Sequence, residues 1–247
     1  MISVQSQEKQ QKENLSEKIV NNEKSLWIFF DYSGTLVDTV KALSFTYTRY
    51  LGREFSEQNV KDFYKDFHSM SKLKLMRKYR MNPLRYIFGG KKIWEKYRQE
   101  EFWKHVKAFR GIAEVLNKIG SKSFINMAIV THETELNDPS EREKILTHFG
   151  IPNVFTTVIT DYNDKEKNFS QFIENNEITT GIFVGDTQFD VDIGKRQNCK
   201  TIGVTWGFSK AEDFDADNIV NNPKELEKVI MGWMHQIEQR ILHGDPI

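Results

Sequence analysis

Leu26-Trp27-Ile28-Phe29-Phe30-Asp31-Tyr32-Ser33-Gly34-Thr35 is the stretch on which the fold turns. Five consecutive apolar residues, too few for an ordinary helix, stop at a carboxylate and a Ser-Gly turn. A short continuous apolar run of this kind reads as a strand buried on both faces, and such strands belong to parallel sheets. The same shape recurs downstream. Met127-Ala128-Ile129-Val130 ends at Thr131, Val154 runs to Thr160, Gly181-Ile182-Phe183-Val184 ends at Gly185-Asp186, and Thr201-Ile202-Gly203-Val204 follows. Between these runs lie helical patterns: Ala113 to Ile119 with Val115, Leu116 and Ile119 on one face, and Glu141 to Phe149. Strand and helix in alternation predict right-handed βαβ units and an α/β fold with a Rossmann-like parallel sheet. A last helix is expected to start at Asn222-Pro223, a cap followed by proline at the first helical position, with Leu226, Val229, Ile230, Trp233 and Ile237 as its apolar stripe.

Residues 40–107 break the alternation. They carry aromatic and basic residues at helical spacing without a buried-strand run, so they read as a helical insert after the first strand, with Gly89-Gly90 as a turn inside it. The expected organisation is a polar tail over 1–24, a core formed by 25–39 and 108–247, and the helical insert over 40–107.

Composition excludes several classes. Among the 247 residues, 38% are hydrophobic, with 18 Phe and 5 Trp, enough to offset the entropy of ordering a chain. No apolar stretch approaches the roughly 18 residues of a membrane span, and the first residues show no apolar segment of a secretory signal. The single Cys199 allows no internal disulfide and fits a reducing compartment, so a cytoplasmic location with no membrane partner is expected. The 35 basic and 35 acidic residues cancel, but residues 40–107 hold 17 basic against 7 acidic ones. A basic segment opposite an acidic remainder favours an anionic ligand between them. No nucleic-acid module is recognisable, so the expected partner is a small phosphorylated compound rather than a nucleic acid.

In an open parallel sheet, ligands bind beyond the carboxyl ends of the strands. There the sequence places Asp31, Ser33, Gly34 and Thr35, then Thr131, then Asp186 and Asp190. Three carboxylates converging on one edge call for a hard cation such as Mg²⁺. A carboxylate can then attack phosphorus while backbone N–H groups of the Gly34-Thr35 turn hold phosphate oxygens.

Asp31-Tyr32-Ser33-Gly34-Thr35-Leu36-Val37-Asp38, Ile129-Val130-Thr131 and Ile182-Phe183-Val184-Gly185-Asp186-Thr187-Gln188-Phe189-Asp190 resemble motifs I, II and IV of the haloacid dehalogenase superfamily. Gly203-Val204-Thr205-Trp206-Gly207-Phe208 is similar to the stretch that follows motif IV in its phosphoglycolate-phosphatase-like members. The insert falls where the family's C1-type helical cap lies, and Phe109-Arg110-Gly111-Ile112 resembles the exit from that cap. The resemblance implies Mg²⁺-dependent phosphatase chemistry with Asp31 as nucleophile, forming an aspartyl-phosphate. It implies Asp31, Asp186 and the Ser33 carbonyl as metal ligands, Asp190 as their support and Thr131 as a phosphoryl contact, with His132 beside it. It also calls for a motif III lysine, for which Lys167 is the first choice and Lys165 the second.

One position departs from the family. Its phosphatases carry a second Asp two residues after the nucleophile as general acid and base; here Ser33 stands there, and a hydroxyl cannot take that role near neutral pH. Four readings follow: a phosphatase lacking that group, a phosphonatase-like C–P hydrolase in which Lys72 or Lys74 of the insert forms a Schiff base, an enzyme using His132 as substitute base, and a non-catalytic module that binds Mg²⁺ and phosphate. Dehalogenation is disfavoured, since that branch resembles a Tyr at the Ser33 position.

Overall fold

The computed structural model describes residues 26–67, 69–82, 102–161 and 164–243, without the side chains of 238 and 241–243. The expected tail over 1–24 and the Gly89-Gly90 turn lie outside the described residues.

The first strand, β1 (Leu26–Phe30), is where the sequence places it. A short ribbon follows, β2 (Val37–Asp38) pairing antiparallel with β3 (Lys107–Ala108). Between its two strands lie α1 (Val40–Leu51), α2 (Glu57–Phe67), α3 (Lys72–Lys78) and a single helical turn at Trp103–His105. The chain then alternates: α4 (Ile112–Gly120), β4 (Ile125–Thr131), α5 (Pro139–His148), β5 (Thr157–Thr160), α6 (Lys165–Asn175), β6 (Gly181–Gly185), α7 (Gln188–Arg196), β7 (Lys200–Val204), β8 (Asn218–Val220) and α8 (Pro223–His243).

The sheet has six strands in the order β5-β4-β1-β6-β7-β8, and every pairing in it is parallel. The chain winds outward from β1 through β4 to β5, then returns to the other side of β1 for β6, β7 and β8. The order therefore reverses at β1, and a crevice opens at the carboxyl end of that strand.

Side-chain alternation divides the core into two layers. Ile28 and Phe30 of β1, Met127 and Ile129 of β4, and Ile182 and Val184 of β6 face one layer. Phe29, Ala128, Val130 and Phe183 face the other. In the second layer the Phe169 ring meets Phe29 and Phe183 edge to face, at centroid distances of 4.8 and 5.1 Å. Full burial of each such ring is worth about 2–3 kcal/mol, so this cluster fixes α6 against β1 and β6. The first layer is closed by α4, by α8 and by the helices of the insert, whose own rings Tyr47, Phe55, Phe63 and Tyr79 pack together.

Asn222 caps α8 as its sequence predicts, its Oδ1 accepting from the Glu225 N–H at 3.0 Å with Pro223 at the first helical position. The short strands outside the central sheet runs escaped the sequence reading. The β2–β3 ribbon is only two residues deep, and β8 is a three-residue edge strand, both too short for periodicity to register. Among the described residues, no helix is long and apolar enough to cross a membrane.

Candidate active site

Asp31, Thr131 and Asp186 follow or end β1, β4 and β6, three adjacent strands, and so meet at the crevice. The Asp31 N–H donates to the Val184 carbonyl at 2.9 Å, extending the ladder one residue past β1 and fixing the carboxylate at its tip. Asp190 reaches the same place from the first turn of α7. Thr187 is the cap of that helix, and its N–H and hydroxyl donate to Asp190 Oδ2 at 3.1 and 2.5 Å. Carboxylate oxygens of Asp31, Asp186 and Asp190 all lie within 4.8 Å of one another, and all three residues are buried.

A buried lysine joins them. Lys165 Nζ donates to Asp31 Oδ1 at 2.5 Å and to Asp190 Oδ1 at 2.8 Å. One ammonium against three carboxylates leaves the cluster short of positive charge. Burial pushes the Asp31 carboxyl up to about 7, helped by the Asp190 charge and opposed by Lys165. Burial also lifts Asp186 well above the usual carboxylate range, with Asp31 and Asp190 adding to the shift and the Phe208 N–H opposing it. Lys165 goes the other way: burial pulls its pKa down, but the Asp190 and Asp31 charges outweigh it and hold the ammonium. An all-oxygen donor set with excess buried negative charge fits a hard divalent cation.

Two glycines make room for this packing. Gly34 has φ +92°, and a Cβ there would overlap the Asp186 carboxylate. A Cβ on Gly207 would overlap both that carboxylate and the Gly34 carbonyl. The loop carrying Gly207 follows β7 and is bound from both sides. The Phe208 N–H donates to Asp186 Oδ2 at 2.7 Å, and Trp206 Nε1 donates to the Thr35 carbonyl at 3.1 Å. From the insert, Lys61 Nζ of α2 donates to the Gly207 carbonyl at 2.9 Å, Tyr64 stacks on Phe208 at 4.6 Å, and Lys65 pairs with Asp213.

Of the residues expected at the site, Asp31, Ser33, Gly34, Thr35, His132 and Asp186 lie on the loops at this edge, Thr131 ends β4 and Asp190 sits in the first turn of α7. The choice of Lys167 is corrected. It is exposed on α6, where its N–H is capped by Asp164, whereas Lys165 one half-turn earlier points into the cluster. Lys165, Phe169 and Ile173 are the buried residues of α6, four apart along one face, and that phase separates the two lysines. His132 does not face Asp31 through a hydrogen bond; its Nδ1 donates to the Asp161 carbonyl beyond β5 at 2.8 Å. Burial and the Lys165 charge hold its pKa below the usual histidine range. Lys72 and Lys74 are exposed on α3, and neither is hydrogen-bonded to the carboxylate cluster. Glu133 was not anticipated: Ser33 Oγ donates to its Oε1 at 3.3 Å.

This architecture and edge chemistry are those of a hydrolase family with a carboxylate-lined crevice on a doubly wound sheet. The chain belongs to the haloacid dehalogenase-like hydrolases, whose family profile matches residues 28–204. Among curated proteins it is similar to the phosphoglycolate phosphatase of Aquifex aeolicus (strain VF5), 25% identical over 227 residues, covering 82% of this chain and 95% of the relative. The phosphoglycolate phosphatase of Synechococcus elongatus (strain ATCC 33912 / PCC 7942 / FACHB-805) is 23% identical over 221 residues, covering 85% and 99%. In fold it resembles a haloacid dehalogenase-like family hydrolase from Streptococcus pneumoniae, with a TM-score of 0.67 and 19% identity over 85% of this chain and 99% of that one.

Proposed function

We propose that this hydrolase is a phosphatase of small phosphorylated compounds, acting through an aspartyl-phosphate on Asp31. The observation that carries the reading is the pairing of a buried Asp31 with Lys165 inside the three-carboxylate cluster. Similarity over most of their length to two phosphoglycolate phosphatases supports a small phosphate monoester as substrate.

In this reading one Asp31 oxygen is the nucleophile, since it lies at the mouth of the crevice where β1 ends. Lys165 keeps the carboxylate ionised and aimed, and supplies positive charge to the incoming phosphoryl group. The Thr131 hydroxyl, at the end of the neighbouring strand, donates to a phosphoryl oxygen. The Gly34 N–H takes no part in this, since it already donates to the Val37 carbonyl at 2.7 Å. Asp186 and Asp190, with Asp31 and the Ser33 carbonyl, would hold Mg²⁺, which when bound neutralises charge on the carboxylates and the phosphate. The helices α1, α2 and α3 act as the cap, with α2 anchored on the Gly207-Phe208 loop, and the basic residues of this segment draw the anionic substrate in.

Phosphate release from a panel of small phosphate esters with Mg²⁺, for wild type and Asp31→Asn, tests this. Turnover by wild type and its loss by at least about 10³-fold in Asp31→Asn is the expected result. A panel with no release, or an active Asp31→Asn, refutes it.

A further inference from the structure

We infer that Glu133 supplies, through the Ser33 hydroxyl, the proton acceptor that the position two residues after the nucleophile lacks. The inference rests on the reading of Asp31 as a nucleophile and assigns a further residue to that reaction. Ser33 leaves Asp31's loop with a hydroxyl where hydrolysis of an aspartyl-phosphate needs a base. The hydroxyl has a carboxylate behind it: Ser33 Oγ donates to Glu133 Oε1 at 3.3 Å, across 100 residues of sequence.

The fold explains why the two meet. β1 and β4 are adjacent and parallel with Phe30 opposite Ile129, so the turns that follow the two strands leave the sheet side by side. Asp31 leaves β1 and Ser33 follows two residues on, while Thr131 ends β4 and Glu133 follows two residues on. The Glu133 N–H donates back to Thr131 Oγ1 at 3.2 Å, which folds the second turn toward the first. A hydroxyl hydrogen-bonded to a base can give that base its proton as it takes up another.

The step balances as follows. A water oxygen forms its bond to phosphorus as the bond between phosphorus and the Asp31 oxygen breaks, releasing inorganic phosphate and the free Asp31 carboxylate. The water proton passes to Ser33 Oγ while the Ser33 proton passes to Glu133 Oε1. Glu133 acts through Ser33 and is in that sense a positioning residue. His132, the other titratable group beside Thr131, is turned to the Asp161 carbonyl and leaves this place to Glu133.

The test compares wild type, Glu133→Gln, Glu133→Ala and the double variant Ser33→Asp/Glu133→Ala with p-nitrophenyl phosphate and Mg²⁺, by steady-state and stopped-flow absorbance. The activated leaving group departs without a proton, so the loss falls on dephosphorylation. Glu133→Gln is expected to lower kcat by about 10²-fold or more, with a burst of about one p-nitrophenol per enzyme before the slow phase. The double variant should regain at least about tenfold over Glu133→Ala, because the carboxylate returns at position 33. A kcat for Glu133→Gln within about threefold of wild type, the absence of a burst, or a double variant no faster than Glu133→Ala would overturn the inference. Wild-type turnover abolished by Asp31→Asn confirms the nucleophile separately. A wild type without turnover would instead remove the phosphatase reading, and this inference with it.

Discussion

Replacing Lys165 by Met removes the ammonium that binds both Asp31 and Asp190 while keeping most of the side-chain volume. At separations of 2.5 and 2.8 Å, each pair attracts by about 6 kcal/mol at an effective dielectric of about 20. Desolvation of the ions cancels most of that gross figure. What the variant exposes is the cost of leaving buried carboxylates uncompensated, about 3–5 kcal/mol. Protonation limits the cost. Burial already pushes Asp31 up to about 7, and without Lys165 it rises further, so in acid the variant takes up a proton and recovers. A carboxyl whose folded pKa is raised contributes stability that is complete below its unfolded value near 3.8 and is lost as pH climbs through the folded value. Wild type in EDTA should therefore lose stability between about pH 4 and 8, and Lys165→Met should lose it more steeply, the gap between them widening with pH. At about 2–4 °C per kcal/mol for a chain of this size, the melting temperature should fall by roughly 10 °C at pH 8 and by clearly less at pH 5. Mg²⁺ should narrow the pH 8 gap by replacing part of the missing charge. Calorimetry in EDTA across that range, with Lys167→Met as the control, is the assay; the control should stay within about 0.5 kcal/mol of wild type. Equal effects for the two lysines, or a gap that does not grow with pH, would refute the placement of Lys165 as the counter-charge.

Gly34→Ala should be damaging for two independent reasons, the left-handed backbone at φ +92° and the Cβ that would displace the Asp186 carboxylate. The expected result is a protein that still folds, destabilised by about 1–3 kcal/mol, and no longer gains melting temperature from Mg²⁺; a wild-type Mg²⁺ response in thermal-shift measurements would count against the cluster geometry. Cys199 is buried and its thiol is pushed up to about 12 by desolvation, so labelling by a thiol-specific disulfide reagent at pH 8 should be slow in the native protein and fast in denaturant. Rapid labelling of the native state would place that thiol outside the core.

The parallel sheet was legible because each of its central strands is buried on both faces and must therefore be apolar throughout. Leu26–Phe30 and Gly181–Gly185 declare themselves by that alone. The same logic fails at the edges of the sheet. β8 has an exposed Ile219 at its centre and spans Asn218–Val220, so neither length nor pattern marks it. The Val37–Asp38 ribbon is set by its distant partner Lys107–Ala108, and pairing across some 70 residues leaves no local trace.

The site divides along a similar line. Asp31, Thr131 and Asp186 follow from strand ends, because a sheet places the ends of adjacent strands together whatever the loops do. Lys165 needed one further step that the sequence does contain: helical phase. Asp164 caps α6, and Lys165, Phe169 and Ile173 then share a face four residues apart, so a lysine on that face is buried with the phenylalanine and the one two residues later is not. Lys167 looks the better candidate only if the helix carrying Phe172-Ile173 is taken to start after it, whereas the helix already starts at Lys165. Glu133 is a different case. Its link to Ser33 depends on the register of β1 on β4 and on the Thr131 hydroxyl turning the backbone back, and neither is encoded near either residue. Residue type at a motif position thus says which group the loop itself supplies. Whether that group is supported from across the sheet is decided by strand order, and here that order sets the Glu133 carboxylate behind the Ser33 hydroxyl.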